Sequence, residues 1–169
     1  MKRYEAWVDR TARRFGLQIS RIKSATASLP IEATADEQAL IASLDPYTMT
    51  SGERLWSLVN GVRYVVDEGI PGDFVECGVW RGGSVMAIAR QLLAMGVRDR
   101  RIWLYDTFAG MTQPTAVDVE ASTGVTARQM LAHTPIDDGR HVWCVAGRGD
   151  VEANLRTTGY PFDQFKFVE

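Results

Sequence analysis

Asp73-Phe74-Val75-Glu76-Cys77-Gly78-Val79-Trp80-Arg81-Gly82-Gly83-Ser84 is the stretch on which the fold turns. Its first half, Asp73 to Gly78, reads as a short buried strand running into a glycine loop, with Pro71–Gly72 as the turn before it. Ser84 suits a helix N-cap, and Val85, Ile88, Ala89, Leu92 and Leu93 form an apolar stripe that Gly96 closes. Arg101-Ile102-Trp103-Leu104-Tyr105-Asp106 is a second strand. Strand, glycine loop, helix and strand make a crossover, and within one sheet a crossover makes its strands parallel. The expected fold class is α/β: the amino-terminal half of a doubly wound parallel sheet preceded by helices, the sheet being incomplete.

Upstream, Thr50 and Glu53 pair as a capping box at the start of a helix whose face is Leu55, Val59, Val62 and Val66, and which Gly69 ends. Asp36 to Leu44 is a shorter helix, ended by Asp45–Pro46, and Ser24 to Ala35 has the Ser, Thr and Ala content of a linker. Residues 1–24 carry Lys2, Arg3, Arg10, Arg13, Arg14, Arg21 and Lys23 against Glu5 and Asp9, with Tyr4, Val8, Ala12 and Phe15 at helical spacing. That basic amphipathic helix either packs on the domain or a partner subunit, or lies on a membrane surface. Downstream come a polar loop from Thr107 to about Thr123, a helix over Val125 to His133 and an extended segment over His141 to Val145. A helix over Asp150 to Thr158 and a third strand at Phe165 to Glu169 follow. The domain reading is 1–34, basic helix and linker, then 35–169, an α/β ligand-binding domain truncated at its carboxyl end.

Composition removes whole classes of function. The 169 residues hold 19 basic and 21 acidic side chains, a net charge of -2, so no uncompensated basic face is available for nucleic acid. Two cysteines cannot staple a small fold or build a four-thiolate zinc site. No apolar run is long enough to span a bilayer, and no signal-peptide pattern opens the chain. A soluble, cytoplasmic protein is the expectation.

The chemistry concentrates where the first strand ends. Glycines there let the backbone turn sharply and approach a ligand, while the following helix presents free amides and the positive end of its dipole. The spacing is Gly-x-x-x-Gly-Gly, not the Gly-x-Gly-x-x-Gly of dinucleotide enzymes, and Glu76 lies two residues before the first glycine. An acid in that place holds the ammonium of an amino-acid-like ligand and repels a pyrophosphate. S-adenosylmethionine is thereby favoured over NAD, and a nucleotide-dependent oxidoreductase is the weakest of three readings. Asp106, ending the neighbouring strand, is placed to accept both ribose hydroxyls. The competing reading makes Glu76 and Asp106 partnered acids at strand ends.

Pro71 to Ser84, together with Ile102-Trp103-Leu104-Tyr105-Asp106-Thr107-Phe108-Ala109-Gly110-Met111, resembles the macrocin O-methyltransferase family. Tyr47 to Ser51, Glu53–Arg54, Pro114–Thr115 and Asn154 to Pro161 are similar as well, so the resemblance runs from about Tyr47 to Glu169. It implies a Rossmann-like class I methyltransferase fold and enzymes that use S-adenosylmethionine and Mg²⁺ to methylate sugar hydroxyls of natural products. By the resemblance Glu76, Gly78 and Ser84 surround the methionine part of the cofactor and Asp106 its ribose, with Cys77, Gly82 and Gly83 in the same cofactor-binding loop. Thr107 and Phe108 line the same pocket, and Thr48 and Met49 close over it. The family's magnesium ligands and catalytic residues are expected beyond Glu169, so this stretch offers no catalytic base and no metal ligand. A sugar-bearing small molecule and a homo-oligomeric partner are the expected associations.

Other chemistry-bearing residues read more plainly. Asp137–Asp138, flanked by Pro135 and Gly139, reads as a turn rather than a metal site. Asp118 and Glu120 are solvated or face substrate, and His133 and His141 are structural or exposed. Cys77, with no adjacent His or Lys, is a packing residue before it is a nucleophile. Trp80 and Arg81 either contact substrate or cover the helix start. The alternative to an enzyme is a non-catalytic binding or assembly module derived from the same fold, whose last strand leaves an open edge.

Overall fold

The computed structural model describes residues 29–132 and 144–169. The expected basic helix over residues 1–24, His133, Asp137–Asp138 and His141 lie outside the described residues.

Three short parallel strands form the sheet: β1 (Phe74–Cys77), β2 (Ile102–Tyr105) and β3 (Phe165–Val168), in spatial order β1-β2-β3. The register places Glu76 beside Leu104 and Leu104 beside Phe167. Helices precede and link them: α1 (Ala35–Ser43), α2 (Gly52–Asp67), α3 (Gly83–Ala94), α4 (Ala127–Ala132) and α5 (Arg148–Arg156). The parallel crossover read from the glycine stretch is therefore present, with α3 as the connecting helix.

Strand alternation divides the sheet. Ile102, Leu104 and Phe165 are buried and join a core with Leu55, Val59 and Val62 of α2, Val85, Ile88 and Leu92 of α3, and Val151 and Leu155 of α5. Each fully buried Leu or Ile in such a core stabilises by about 1.5–3 kcal/mol relative to exposure. The opposite face carries Val75, Cys77 and Tyr105, which are exposed.

Several helix ends differ from the sequence reading. The Thr50–Glu53 capping box is not formed: Ser51 is the N-cap of α2, and neither its side chain nor that pair supplies the cap. Gly52 already has helical geometry, which moves the frame one residue past Thr50. The capping box lies instead at α1, where the Thr34 hydroxyl accepts from the Glu37 amide (3.3 Å) and the Glu37 carboxylate from the Thr34 amide (2.9 Å). Ser84 is likewise not the cap of α3. Gly82, at φ +89°, turns the chain two residues earlier in the left-handed region that favours glycine. The expected linker also ends sooner, because Ala33 is buried and Leu29 packs on the core.

Candidate functional site

At the carboxyl end of β1 the chain opens a cleft of about 240 Å³, lined by Tyr47, Thr48, Met49, Thr50, Glu76, Gly78, Val79, Trp80, Gly83 and Ser84. A whole drug-sized ligand fills about 300–1,000 Å³, so this space matches one end of such a molecule. Three pieces of chain build it.

The floor is the end of β1. Glu76 points to the helix-covered side of the sheet, and burial pushes its carboxyl above the ordinary value of 4.5 while a hydrogen bond from Ser84 pulls the other way. Cys77, one residue on, faces the opposite side by strand parity and is exposed, so its side chain is not brought to the cleft. The rim is the start of α3. The first amides of a helix have no intrahelical acceptor, and the dipole makes that end positive. Gly83 and Ser84 thus offer donors beside a carboxyl held in partial burial.

The third piece is a strap, residues 45–50, laid against the helix start. A Cβ on Gly83 would stand 2.6 Å from both the Tyr47 carbonyl oxygen and Thr48 Cβ, so only glycine permits the approach. Thr48 is buried there and its hydroxyl accepts from the Thr50 amide (3.1 Å), whereas Met49 is half exposed at the lip. Arg81 fastens the strap: it pairs with Asp150 of α5 (3.0 Å), donates to the Pro46 carbonyl (2.9 Å), and lies over the Tyr47 ring at 5.6 Å. Asn154 of α5 donates to the Arg81 carbonyl (3.0 Å).

The remaining sequence candidates sit around the cleft rather than in its lining. Gly82 lies beneath α5, with Val151 within 3.4 Å of where a Cβ would be. Asp106 follows β2, and its carboxylate accepts from the amides of Val79 (2.6 Å), Trp80 (3.1 Å) and Phe108 (2.9 Å). The Phe108 ring is buried against Phe167, 5.7 Å between centroids, and Thr107 closes its own turn by donating to the Gly110 carbonyl (3.1 Å). Tyr47 and Thr50 also line the cleft, a place the sequence reading gave to neither. Their neighbourhood with Gly83 depends on packing over more than thirty positions.

Among the described residues no group of three or more His, Cys, Asp or Glu side chains could hold a metal ion, and no helix is long and apolar enough to cross a membrane.

Comparison with known proteins bears on the family and the fold. The family model for macrocin-O-methyltransferase (TylF) matches residues 8–143. Mycinamicin III 3''-O-methyltransferase of Micromonospora griseorubida is 34% identical over 155 residues, covering 79% of this chain and 61% of that protein. Demethyldecarbamoylnovobiocin O-methyltransferase of Streptomyces niveus is 42% identical over 122 residues, 72% of this chain and 43% of that one. The solved structure of the O-methyltransferase NovP superposes with a TM-score of 0.55 at 28% identity, over 85% of this chain and 50% of that one. The chain therefore spans about half the length of the curated relatives it matches, and its parallel sheet is part of a Rossmann-like fold. By the match over residues 8–143, the chain belongs to the macrocin O-methyltransferase family.

Proposed function

We propose that residues 35–169 bind S-adenosylmethionine for an O-methyltransferase acting on a sugar hydroxyl of a natural product. The observation that carries this reading is Glu76: a partly buried carboxyl, one hydroxyl against it, on the floor of a cleft whose rim is a helix N-terminus. An α-amino acid end fits that pair. The ammonium meets the Glu76 carboxylate, and the carboxylate meets the amides of Gly83 and Ser84. S-adenosylmethionine, when bound, supplies a methyl group on a sulfonium sulfur that is already an activated leaving group.

The chain's own residues hold and orient. Glu76 and the start of α3 fix the amino-acid end, and Thr48 and Met49 cover it from water. The loop Val79–Trp80, tied to Asp106, sets the direction in which the ligand leaves the cleft. Such positioning can supply several kcal/mol of a transfer barrier. The described residues do not form a magnesium site, so no step is assigned to a metal. One relative's name describes 4'-O-methylation of a rhamnosyl-tetracenomycin, which supports a sugar-bearing acceptor.

Calorimetric titration with S-adenosylmethionine and with S-adenosylhomocysteine tests the reading. Saturable binding of both at one site is expected, and no binding of either would remove it.

A further inference from the structure

A second cavity, of about 410 Å³, lies in the segment that runs from the end of β2 into α4. Met111, Pro114, Val119, Met130 and Leu131 give it an apolar lining, to which Asp118 and Glu120 add two acids. The volume falls in the range of small-molecule sites, and an apolar lining with a few fixed polar groups is their usual composition. Between positions 111 and 125, Met111, Val117, Val119 and Val125 are all exposed. Uncovered apolar side chains gathered in one place mark a binding surface, whereas scattered ones do not.

The segment is framed by its own hydrogen bonds. The Ala127 amide donates to the Asp118 carbonyl (2.8 Å) and the Glu120 amide to the Val125 carbonyl (2.9 Å), around the bridge of Val119 to Thr126. The Asp118 carboxylate accepts from the Thr115 amide (2.7 Å) and hydroxyl (2.8 Å), and the Glu120 carboxylate accepts from the Thr123 hydroxyl. Both acids are thus held in place, and they give the lining a negative sign that disfavours an anionic guest.

Position ties this cavity to the cleft. Asp106 accepts from the amides of Val79 and Trp80, which line the cleft, and Met111 of the cavity follows five residues later. Five residues span at most about 18 Å. The Thr107 hydroxyl, donating to the Gly110 carbonyl (3.1 Å), folds part of that length back.

We propose that this cavity binds the uncharged apolar body to which the acceptor sugar is attached, with Met111, Val119, Met130 and Leu131 as its contact surface. The inference rests on the sugar O-methyltransferase reading above and deepens it by naming the acceptor class, a neutral glycoside with an apolar aglycone. Unbranched methionines suit such a guest because they repack around irregular shapes.

The protein's own methionines supply the test. In protein labelled with methyl-¹³C methionine, Met111 and Met130 mark the cavity, Met49 the cleft and Met86 the core, each signal assigned by substitution to leucine. The probes are 4-nitrophenyl α-L-rhamnoside, free L-rhamnose and 4-carboxyphenyl α-L-rhamnoside. The nitrophenyl glycoside is expected to shift Met111 and Met130 saturably while Met86 stays still, and the other two probes to bind about tenfold more weakly. Ala127→Leu, which enlarges a lining side chain, should weaken the nitrophenyl glycoside by about fivefold and leave S-adenosylhomocysteine within about twofold. Silence at Met111 and Met130, or a response at Met49 alone, overturns the proposal. Equal binding of rhamnose or of the carboxyphenyl glycoside overturns it as well. These wild-type spectra decide even if Ala127→Leu does not fold. Silent cavity methionines in a protein that binds S-adenosylhomocysteine remove the cavity's role and keep the methyl-donor reading. Shifts at Met111 and Met130 in a protein that does not bind it remove the methyl donor and leave the cavity as a glycoside site.

Discussion

Two glutamates sit beneath the surface of this domain and have opposite electrostatics. Burial alone would raise the carboxyl of Glu37, but hydrogen bonds from Arg63, the Thr34 amide and the Trp56 indole outweigh it and bring the group down to about 2. Burial also acts on Glu76, and there the Ser84 hydroxyl is too little to offset it, so that carboxyl rises above 4.5. Glu37 joins α1 to α2 through Trp56 (3.1 Å) and Arg63 and is not among the residues that line the cleft. Glu76 faces the cleft. A carboxylate supplied with a cation belongs to the architecture, and one partly stripped of water with no cation among its described partners suits the ammonium of the proposed methyl donor.

The largest expected effect breaks the first of the pair. Glu37→Ala leaves the Trp56 indole without this acceptor and Arg63 with Asn60 in place of its carboxylate, and should cost on the order of 3 kcal/mol of stability, read by urea unfolding. The same residue sets an acid limit. Its folded value lies below its unfolded one, so its stabilisation is complete above pH 4.5 and disappears as pH falls toward about 2. An acid titration followed by circular dichroism should show that loss in the wild type, and a flatter curve in Glu37→Gln.

Next comes the second glutamate. Glu76→Gln should weaken S-adenosylhomocysteine by about thirtyfold, roughly 2 kcal/mol, since the ammonium loses its counter-charge. It should not lower fold stability at neutral pH. A raised carboxyl favours the neutral form, its stabilisation is present below 4.5 and is lost as pH rises through the folded value, and glutamine is neutral throughout. A destabilised Glu76→Gln with intact binding would invert the comparison.

Smaller effects sharpen it. Gly83→Ala drives a methyl into the Tyr47 carbonyl and Thr48, and should cost about 1–2 kcal/mol in stability while weakening binding, measured by thermal melts with and without ligand. Arg81→Lys keeps the charge but loses the fork that spans Asp150 and Pro46. The pair is partly exposed, so a loss of about 0.5–1 kcal/mol is expected. A double-mutant cycle with Asp150→Asn should show the two costs to be non-additive.

The β1–loop–α3–β2 unit was legible because its signals are local: alternation, glycines and an apolar stripe at helical spacing all fall within 73–106. The cleft was half legible. Glu76, Gly78, Gly83, Ser84, Thr48 and Met49 do meet around one space. Cys77, one residue past Glu76, falls on the other face of the strand and is exposed, which the glycine spacing alone does not show. The N-caps moved by one or two positions because a left-handed glycine begins α3 before the serine does, and because Ser51 rather than Thr50 precedes α2. Contacts between distant residues left no local trace. Arg81 reaches Asp150 across 69 positions, and Asp106 reaches Val79 across 27. Their chemistry is visible only once the sheet has folded.

Proton release on ligand binding puts the role of Glu76 to the sharpest trial. S-adenosylhomocysteine is titrated just above pH 4.5 in two buffers of different ionisation enthalpy, and the difference in apparent heat counts the protons exchanged. If Glu76 receives the ammonium, binding draws its raised carboxyl back down, a fraction of a proton leaves the wild-type protein, and none leaves Glu76→Gln. Equal proton release by the two proteins, or binding with no release by the wild type, would mean that the ammonium lies elsewhere.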